Sequence, residues 1–548
     1  MKGKHVYTID AETDPFNGTV DIKPFLWDIF DGEEHTTIAT VAECHSFFIA
    51  HPGLYYAHNG GRFDFHLSGF CDPIESGSEV LAISGRLVRF KMLGCEFRDS
   101  FAILPSKLEK LGVGDIKKQT IDYSKMTRAK REFHMPEIRK YIRMDTETLW
   151  HAVMSFRGTY GTGLTLAGAA FKQLKESMGK DFETLNKGKD RIVRGWEERG
   201  ANGKLKKVHP GYYYGGRVEA FHKGTIKKAF KVYDIASAYP RAMIEEHPAG
   251  DSIDIDRPRI SAPIIDQAFY TIVAKSQGAL PFLTDKKSLT FPTDDTARIY
   301  RCTGWELRAG LETKTVKLLE ITARVRFAKS QNFDAFVSKF YTLKAEAPKD
   351  SHARLFAKLI LNSAYGRTGI NPENHRRQVV VAEDEKAGYL LEGWADGGTL
   401  GANCFVTREL DDEEKARAYI HVGVAASITG WVRAHLWRAI VKVRRAGGRV
   451  LYCDTDSISV QGATVEIGEE LGDWTLDAEC ESGGIAGKKL YAYKTTDGEW
   501  KKSCKGARLN AAQIMNVVRG KTVEWANEAP TYSIKRGVRI TKRKIRST

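Results

Sequence analysis

Two aspartates, Asp454 and Asp456, lie in the middle of the run from Val450 to Val460. Apolar β-forming residues flank them on both sides, which predicts a hairpin with an acidic tip. On a strand, side chains two positions apart leave the same face. Two such carboxylates repel each other unless a cation lies between them, and oxygen ligands favour Mg²⁺. A solvated acidic turn is the alternative for this run by itself, so other segments must decide.

A third aspartate, Asp234, ends the β-forming run that begins at Phe230, and the chain then turns into a helix near Pro240. A carboxylate at a strand end can face the acidic hairpin tip. The three aspartates would then complete a site for two metal ions, which stabilise the attacking and leaving oxygens of a phosphoryl transfer.

A predicted helix presents Lys358, Asn362 and Tyr365 at helical spacing, so the three side chains share one face. A cation, an amide and an aromatic ring in one stripe suit a triphosphate and a stacked base. A solvated helix face would explain Lys358 alone, but it explains the whole run from Lys358 to Gly366 poorly.

The first 150 residues contain a second acidic set with a tyrosine: Asp10, Glu12, Asp64, Tyr141 and Asp145. The first two share one face of a predicted strand, and the last two share one face of a predicted helix. Four carboxylates can hold two divalent metals about 4 Å apart. The alternative is a set of unrelated surface acids.

The segment Tyr213-x-Gly215-Gly216 has two glycines that allow close approach of another chain, beside aromatic rings that suit a nucleic-acid strand. An ordinary tight turn is the alternative. Composition favours the nucleic-acid interpretation, because the net charge of +15 coexists with 69 acidic residues. From Lys535 onward there are seven Lys and Arg residues and no acid, which predicts either a disordered tail or a contact with phosphates.

No apolar run is long enough for a membrane helix, and the N-terminus reaches Asp10 too soon for a signal peptide. The eight cysteines form no C-x-x-C pair. We therefore expect neither a zinc site nor a disulfide framework, and the reducing cytoplasm suits this composition.

In order along the chain, these motifs resemble those of family B DNA polymerases. The family patterns are D-x-E, N-x(2–3)-F-D, Y-x(3)-D, Y-x-G-G, D-x-x-S-x-Y-P, K-x(3)-N-S-x-Y-G and Y-x-D-T-D-S, and this chain matches all seven. A weaker K-x-Y element is matched at Lys489-Leu490-Tyr491. The compact length resembles the protein-primed phage and linear-plasmid branch.

For the first acidic set, the resemblance implies a 3′–5′ exonuclease in which Tyr141 orients the attacking water. The residues expected to hold the single strand are Tyr56, His58, Asn59, Ser100, Phe101 and Lys118. Phe101 stands where the family usually has leucine.

For the polymerase motifs, the resemblance implies that Asp234, the Ile235 carbonyl and Asp456 bind metal, with Asp454 in a supporting role. Tyr239 would exclude a ribose 2′-hydroxyl. The expected nucleotide-binding residues are Ser237, Tyr239, Lys358, Asn362, Tyr365 and Lys489. The expected DNA contacts are Tyr213, Gly215, Gly216, Lys344, Arg354, Ser363, Gly366 and Tyr491.

The predicted fold class is α/β (α+β multidomain): a ribonuclease-H-like exonuclease domain, then a right-hand polymerase domain. The predicted units are an exonuclease domain at 1–150, a connector at 151–210, a palm at 211–500 and a small thumb with a basic tail at 501–548. Within the palm we expect fingers at about 330–366 and insertions at about 250–325 and 370–407.

The predicted function is DNA-directed DNA synthesis with proofreading, in viral replication primed by a terminal protein. The expected partners are template and primer DNA, dNTPs and two Mg²⁺ per site, with Mn²⁺ able to substitute, and the enzyme is expected to be a monomer. Three alternatives stay open: a polymerase that starts chains without a primer, a DNA-binding replication factor without catalysis, and a pure nuclease. The last leaves the polymerase motifs unexplained.

Overall fold

The structure, a computed structural model of the 548-residue chain, describes residues 5–16, 22–112, 120–183, 191–199, 205–285, 287–418, 421–527, 532, 534 and 538–547. Lys118, a predicted DNA contact, lies outside the described residues. Within these ranges, no helix is both long and apolar enough to cross a membrane. The eight cysteines are free thiols.

The secondary structure alternates strands and helices along the chain. The strands are β1 (Val6–Thr13), β2 (Pro24–Phe30), β3 (His35–Ile38), β4 (Leu54–Ala57), β5 (Ser78–Glu79), β6 (Leu81–Ile83), β7 (Arg86–Met92), β8 (Cys95–Asp99), β9 (Gly195–Arg199), β10 (Leu205–Pro210), β11 (Val218–Ala220), β12 (Gly224–Ile226), β13 (Phe230–Ile235), β14 (His247–Asp256), β15 (Phe269–Ser276), β16 (Phe282–Leu283), β17 (Leu289–Thr290), β18 (Arg298–Thr303), β19 (Val316–Gln331), β20 (Arg376–Val381), β21 (Ala395–Leu400), β22 (Asn403–Glu409), β23 (Arg449–Asp454), β24 (Ser457–Gln461), β25 (Trp474–Gly487), β26 (Leu490–Thr495), β27 (Trp500–Cys504), β28 (Val523–Ala526) and β29 (Lys542–Ile545). The helices are α1 (Val41–Ala50), α2 (Arg131–Tyr160), α3 (Leu166–Met178), α4 (Arg191–Arg194), α5 (Ala238–Met243), α6 (Gly304–Glu312), α7 (Asp334–Glu346), α8 (His352–Thr368), α9 (Lys386–Leu391), α10 (Asp412–Ala418), α11 (Val422–Arg445) and α12 (Ala511–Val518).

The N-terminal region is built on a seven-stranded sheet in the order β3-β2-β1-β4-β8-β7-β6. The central pairs β1–β4 and β4–β8 are parallel, and the outer pairs are antiparallel. Parallel central strands are buried on both faces, and β1 and β4 accordingly have almost every residue buried. Helix α2 packs against β1 and β2, which brings its side chains to the carboxyl end of β1.

The second large sheet has eight antiparallel strands in the order β11-β23-β24-β13-β25-β26-β27, with β12 added on β25. Helix α11 packs against β23 and β24. The alanine- and valine-rich sequence of α11 has nearly all of its residues buried, as expected for a helix with apolar residues on all sides. Two further helices, α7 and α8, pack against each other as a helical hairpin. They confirm the helices predicted at residues 332–344 and 351–366.

The predicted insertion at about 250–325 forms a four-stranded sheet in the order β14-β19-β15-β18, together with α6. The sequence predicted strands and one helix from Gly304 to about Glu312, and α6 has these bounds. Thr303 and Glu306 form a capping box at its first turn, which explains why the helix begins there.

The alternating β-forming runs from Arg376 to Val406 predict a β-hairpin insertion, and the structure corrects this prediction. The insertion contains three strands and α9, in a sheet of order β21-β22-β20-β5. The fourth strand, β5, comes from the N-terminal region: Glu79 pairs with Val379 and Ser78 with Val380. A hairpin leaves an edge open, and here β5 covers that edge.

The charged, glycine-interrupted run at 187–207 predicts a surface linker, but β9 and β10 pair there as an antiparallel hairpin. At the other end of the chain, α12 packs against β25 and β26, and β28 pairs with β29. The described part of the basic tail therefore includes an ordered strand, Lys542–Ile545.

Candidate active sites

The antiparallel pairing of β13, β24 and β23 brings the three predicted aspartates to one edge of the eight-stranded sheet, called here the carboxylate edge. Asp454 pairs with Ser457 across the hairpin, and Asp234 pairs with Ser457 from the other side. Thr455 has a φ of 62°, which turns the chain sharply at the tip. The Ile235 N–H donates to the Asp456 carbonyl at 2.8 Å.

Electrostatics separates the roles of these acids. Burial, and then the charge of Asp456, raise the pKa of Asp234 to about 7. Burial, and then Asp454, raise the pKa of Asp456. Asp454 instead forms an ion pair with Lys489 at 2.9 Å and accepts a hydrogen bond from the Thr455 hydroxyl at 3.1 Å. Asp234 and Asp456 are thus two half-buried like charges, which a divalent cation would stabilise.

Lys489 was predicted to contact the nucleotide, and the structure places it at the carboxylate edge with Asp454 as its partner. The backbone N–H of Lys489 donates to the Tyr452 hydroxyl at 2.8 Å. Tyr491 stacks on Tyr493 with ring centroids 4.5 Å apart. The roles of Lys489 in nucleotide binding and of Tyr491 in DNA binding stay predictions.

Lys344, Arg354 and Lys358 form a basic cluster on the helical hairpin. The Arg354 guanidinium donates to the Lys344 carbonyl at 2.7 Å, and the Lys344 ammonium lies 3.5 Å from the Ser237 hydroxyl. Burial, followed by the charges of Lys358 and Arg354, lowers the pKa of Lys344. The positive charge of Lys358 opposes the rise in the pKa of Asp234 that burial causes. The cluster therefore faces the carboxylate edge and offers positive charge to an anion bound between them.

Two tyrosines from different motifs meet beside this site. The rings of Tyr239 and Tyr365 stack with centroids 4.3 Å apart and planes at 20°. Asp456 is close enough to both rings to raise their pKa values, after burial as the largest cause. Asn362 lies on the same helix, and its side-chain amide donates to the Lys358 carbonyl. Ser363 is half-buried on this helix and Gly366 is exposed.

The Tyr213-x-Gly215-Gly216 segment packs against the acidic hairpin. A Cβ at Gly216 would lie 2.7 Å from the Thr455 hydroxyl oxygen, whereas Gly215 faces open space. The Thr455 N–H donates to the carbonyl of Arg217 at 2.7 Å. The Tyr213 hydroxyl approaches Gly369, just after α8.

Sequence reasoning missed the buried residue that holds this segment. Arg433, on α11, donates to the carbonyls of Tyr214 and Gly215 at 2.7 and 2.8 Å. It also forms an ion pair with Glu306 at 2.7 Å, and both side chains are 1% exposed. The available signal was an arginine in the mainly apolar first half of this helix, since a buried charge requires partners.

All five residues of the N-terminal acidic set line one cleft of about 700 Å³, called here the acidic cleft. Glu12, Asp64 and Asp145 are 7%, 3% and 2% exposed. Tyr141 lies beside Asp145, and burial, followed by the charge of Asp145, raises its pKa. Carboxylate oxygens are suitable Mg²⁺ ligands. Among the described residues, however, no three His, Cys, Asp or Glu side chains stand in a ready metal-binding group, at either acidic site.

The predicted single-strand residues divide into two groups. Asn59 and His58 line the acidic cleft, and the His58 ring contacts the Ser100 hydroxyl at 2.9 Å and the Ser106 carbonyl at 2.8 Å. Tyr56 and Ser100, by contrast, are 1% and 0% exposed, and their roles in DNA binding stay predictions.

Buried in this way, the two residues serve the structure. The Tyr56 hydroxyl accepts from Arg98 and Arg157, and Ser100 supports His58. The remaining wall of the acidic cleft includes residues that the sequence did not indicate: Tyr123, Arg508, Trp525 and Asn527. The last three come from the C-terminal part of the chain. Sequence order does not indicate that this part lies against the N-terminal region.

Comparison with known proteins supports one family. A family model described as DNA polymerase type B, organellar and viral, matches residues 115–419. The DNA-directed DNA polymerase of Enterobacteria phage PRD1 is 32% identical, over 99% of this chain and 98% of that protein. The DNA polymerase of Bacillus phage phi29 is 25% identical, over 67% of this chain and 60% of that protein. The solved phi29 DNA polymerase in complex with primer-template DNA and incoming nucleotide matches with a TM-score of 0.73 and 16% identity, covering 100% of both chains.

The structural match confirms the predicted fold class, a ribonuclease-H-like domain followed by a right-hand domain with palm, fingers and thumb. By class the protein is therefore a nucleic-acid polymerase. The chain belongs to the type B DNA polymerase family, in its organellar and viral branch. DNA-directed DNA synthesis follows from that membership, and the predicted resemblance to phage polymerases is confirmed.

Proposed function

We propose that the chain extends a primer 3′ end with dNTPs at the carboxylate edge and removes mispaired 3′ nucleotides in the acidic cleft. The observation that carries this proposal is the presence of two separate acidic sites of different composition. The carboxylate edge faces the basic cluster, as synthesis from a triphosphate needs. The acidic cleft includes His58, Asn59 and Tyr141, as hydrolysis of a single strand needs.

In synthesis, the primer 3′-hydroxyl attacks the α-phosphate of the dNTP in line, and pyrophosphate leaves. Asp234, Asp456 and the Ile235 carbonyl would hold two Mg²⁺ ions, which when bound stabilise the attacking and leaving oxygens. Lys344, Arg354 and Lys358 hold the triphosphate. The support for these roles is the Lys344–Ser237 contact and the effect of Lys358 on Asp234.

Selection of the nucleotide is assigned to the stacked rings of Tyr239 and Tyr365. Tyr239 lies beneath the sugar, where a ribose 2′-hydroxyl would collide with the ring. Tyr365 and Asn362 check the nascent base pair from α8. Tyr213, Gly215 and Gly216 contact the template strand, supported by the packing of Gly216 on the acidic hairpin and by the open space beside Gly215.

In proofreading, a water molecule attacks the terminal phosphodiester bond and the 3′ nucleotide leaves as a monophosphate. Asp10, Glu12, Asp64 and Asp145 would hold two Mg²⁺ ions for this step, and Tyr141 orients the water. His58, Asn59 and Phe101 hold the separated strand.

Initiation on a terminal protein is the proposed priming mode. Its support is the resemblance to the compact phage branch and the 32% identity to a phage polymerase along nearly the whole chain. The β14-β19-β15-β18 sheet is the candidate docking site for that protein. Extension of terminal protein by one deoxynucleotide would support it, and synthesis with neither primer nor terminal protein would identify a primer-independent enzyme instead.

The experiment that tests both sites uses a 5′-labelled primer on a template with Mg²⁺, with and without dNTPs. We expect Asp456→Ala to reduce extension by at least about 100-fold and to leave shortening intact, because a carboxylate that would hold the metal ions is lost at one site only. Asp64→Ala should show the reverse. Glu33→Ala, an exposed acid of the N-terminal region, is the matched control and should retain both activities. Loss of both activities in either variant would contradict two independent sites.

A further inference from the structure

One arginine connects the two segments that are proposed to hold the separated strand. Arg86 begins β7, directly after the tight turn at Ser84 and Gly85, which have φ values of 52° and 78°. Its guanidinium donates to the Asn59 side-chain carbonyl at 3.0 Å. The same group lies 4.5 Å from the centre of the Phe101 ring and forms an ion pair with Asp99.

Asp99 contacts both of these segments as well. Its side chain has no solvent exposure, and one carboxylate oxygen accepts the backbone N–H groups of both Asn59 and Phe101 at 3.0 Å. Burial raises the pKa of Asp99, and Arg86 opposes this shift. The carboxylate therefore depends on Arg86 for its charge, and the pair connects two loops that lie some 40 residues apart.

The contacts explain why the residue is an arginine. Asn59 has a left-handed backbone conformation with a φ of 68°, which asparagine tolerates, and the bond from Arg86 fixes its side chain in that turn. Only a planar guanidinium can pair with a carboxylate, donate to a second acceptor and stack on a ring at once. A lysine ammonium could keep the charge beside Asp99 but would lose the planar contacts.

We propose that Arg86 is a positioning residue of the proofreading site, which fixes Asn59 and Phe101 for binding the separated primer strand. Of these three residues only Asn59 lines the acidic cleft, so Arg86 acts on the cleft through Asn59, while its contact with the Phe101 ring holds the neighbouring segment in place. It therefore sets the affinity for single-stranded DNA and leaves the hydrolysis step to the carboxylates. This inference rests on the proposed exonuclease function.

Hydrolysis of a 5′-labelled single-stranded oligonucleotide by Arg86→Lys tests the inference. We expect KM to rise about tenfold, the order of one lost hydrogen bond to a charged group, with kcat within about twofold, because uniform binding is lost. Arg139→Lys, the same change at an exposed arginine of α2, is the matched control and should leave KM unchanged. An unchanged KM in Arg86→Lys, or a loss confined to kcat, would overturn the proposal.

Two further measurements separate positioning from a general loss of structure. In an Asn59→Ala, Phe101→Ala background, Arg86→Lys should change KM less than about twofold, since residues that act as a unit are not additive. A full tenfold effect in that background would overturn the route through these residues. The double variant Arg86→Met, Asp99→Asn removes both charges without leaving a buried anion, and we expect the same rise in KM.

Failure of the proposed exonuclease would be recognised separately. If the wild-type chain shortened no primer, the proofreading proposal would fail whatever Arg86 does. The role of Arg86 would still be decided by measuring how tightly the chain binds the same single-stranded oligonucleotide. For this measurement the oligonucleotide has a fluorescent 5′ label, and EDTA prevents hydrolysis. A weaker Kd in Arg86→Lys than in Arg139→Lys supports positioning, and equal values overturn it.

Discussion

At the scale of single residues, Asp234 shows how a carboxylate that is proposed to hold metal destabilises the folded chain. An ordinary aspartate titrates near 3.8, and in the folded chain the pKa is about 7. Between these values the folded state binds a proton that the unfolded state has released, so stability falls as the pH rises through this window. Above pH 7 the stability that the bound proton contributes is lost completely. We therefore expect Asp234→Asn, in EDTA, to have a higher Tm than the wild type at pH 8, with the difference shrinking toward pH 5.

Asp454→Asn is the matched control, because the Asp454 carboxylate already has Lys489 as a partner. That variant should not raise the Tm at pH 8. A Tm of Asp234→Asn equal to that of the wild type at both pH values would show that the Asp234 carboxylate does not destabilise the folded chain.

Residue types and spacing predicted the acids well, because D-x-E on a strand and Y-x(3)-D on a helix fix which side chains share a face. Spacing does not show, however, which of the neighbouring side chains are buried. Tyr56 and Ser100 lie next to cleft residues in sequence, but their side chains point into the core. The ion pair of Lys489 with Asp454 also depends on a pairing of strands that spacing alone does not show.

At the scale of elements, the Tyr213-x-Gly215-Gly216 segment before β11 packs tightly against the acidic hairpin. A methyl group at Gly216 would lie 2.7 Å from the Thr455 hydroxyl oxygen and 3.0 Å from its Cβ. We expect Gly216→Ala to push the hairpin tip aside and to reduce primer extension at least about tenfold, since displacement of a catalytic group by about 1 Å can cost 100-fold. Hydrolysis in the acidic cleft should persist.

Gly158→Ala makes the same chemical change within α2, where a Cβ would meet nothing within 4 Å. It should leave extension unchanged and serves as the control. Extension by Gly216→Ala at the wild-type rate would show that the close contact does not position the hairpin.

Elements with strong local signals were predicted closely, including α6 with its capping box and the two helices α7 and α8. The second insertion was not, because its sheet includes β5. A two-residue strand has almost no periodic signal of its own. Its pairing with β20 depends on how distant parts of the chain meet, which local sequence does not record.

At the scale of the whole molecule, the pairing of β5 with β20 joins the N-terminal region to the insertion at about 370–407. Gln378 strengthens this junction: its side chain accepts from the Ala82 N–H at 2.5 Å and donates to the Ala82 carbonyl at 2.9 Å. Gln378→Leu would leave both backbone groups without these partners, at about 1–3 kcal/mol for each unsatisfied group. We expect faster hydrogen exchange at residues 78–82 and 376–381.

Gln461→Leu is the control, because its side-chain amide donates to Lys228 and Ala229 carbonyls away from this junction. It should leave exchange at both segments unchanged. Equal exchange rates in Gln378→Leu and the wild type would mean that the backbone pairing alone holds the two regions together.

The same pairing has a consequence for how the protein is made. Glu79 and its partner Val379 are 300 residues apart, so the ribosome needs about 15–60 s to reach the second strand at about 5–20 residues per second. During that time the nascent N-terminal region has β5 without its partner. Until β20 is made, β5 of the nascent chain can therefore bind a chaperone or another nascent chain. This period ends when β20 leaves the ribosomal exit tunnel.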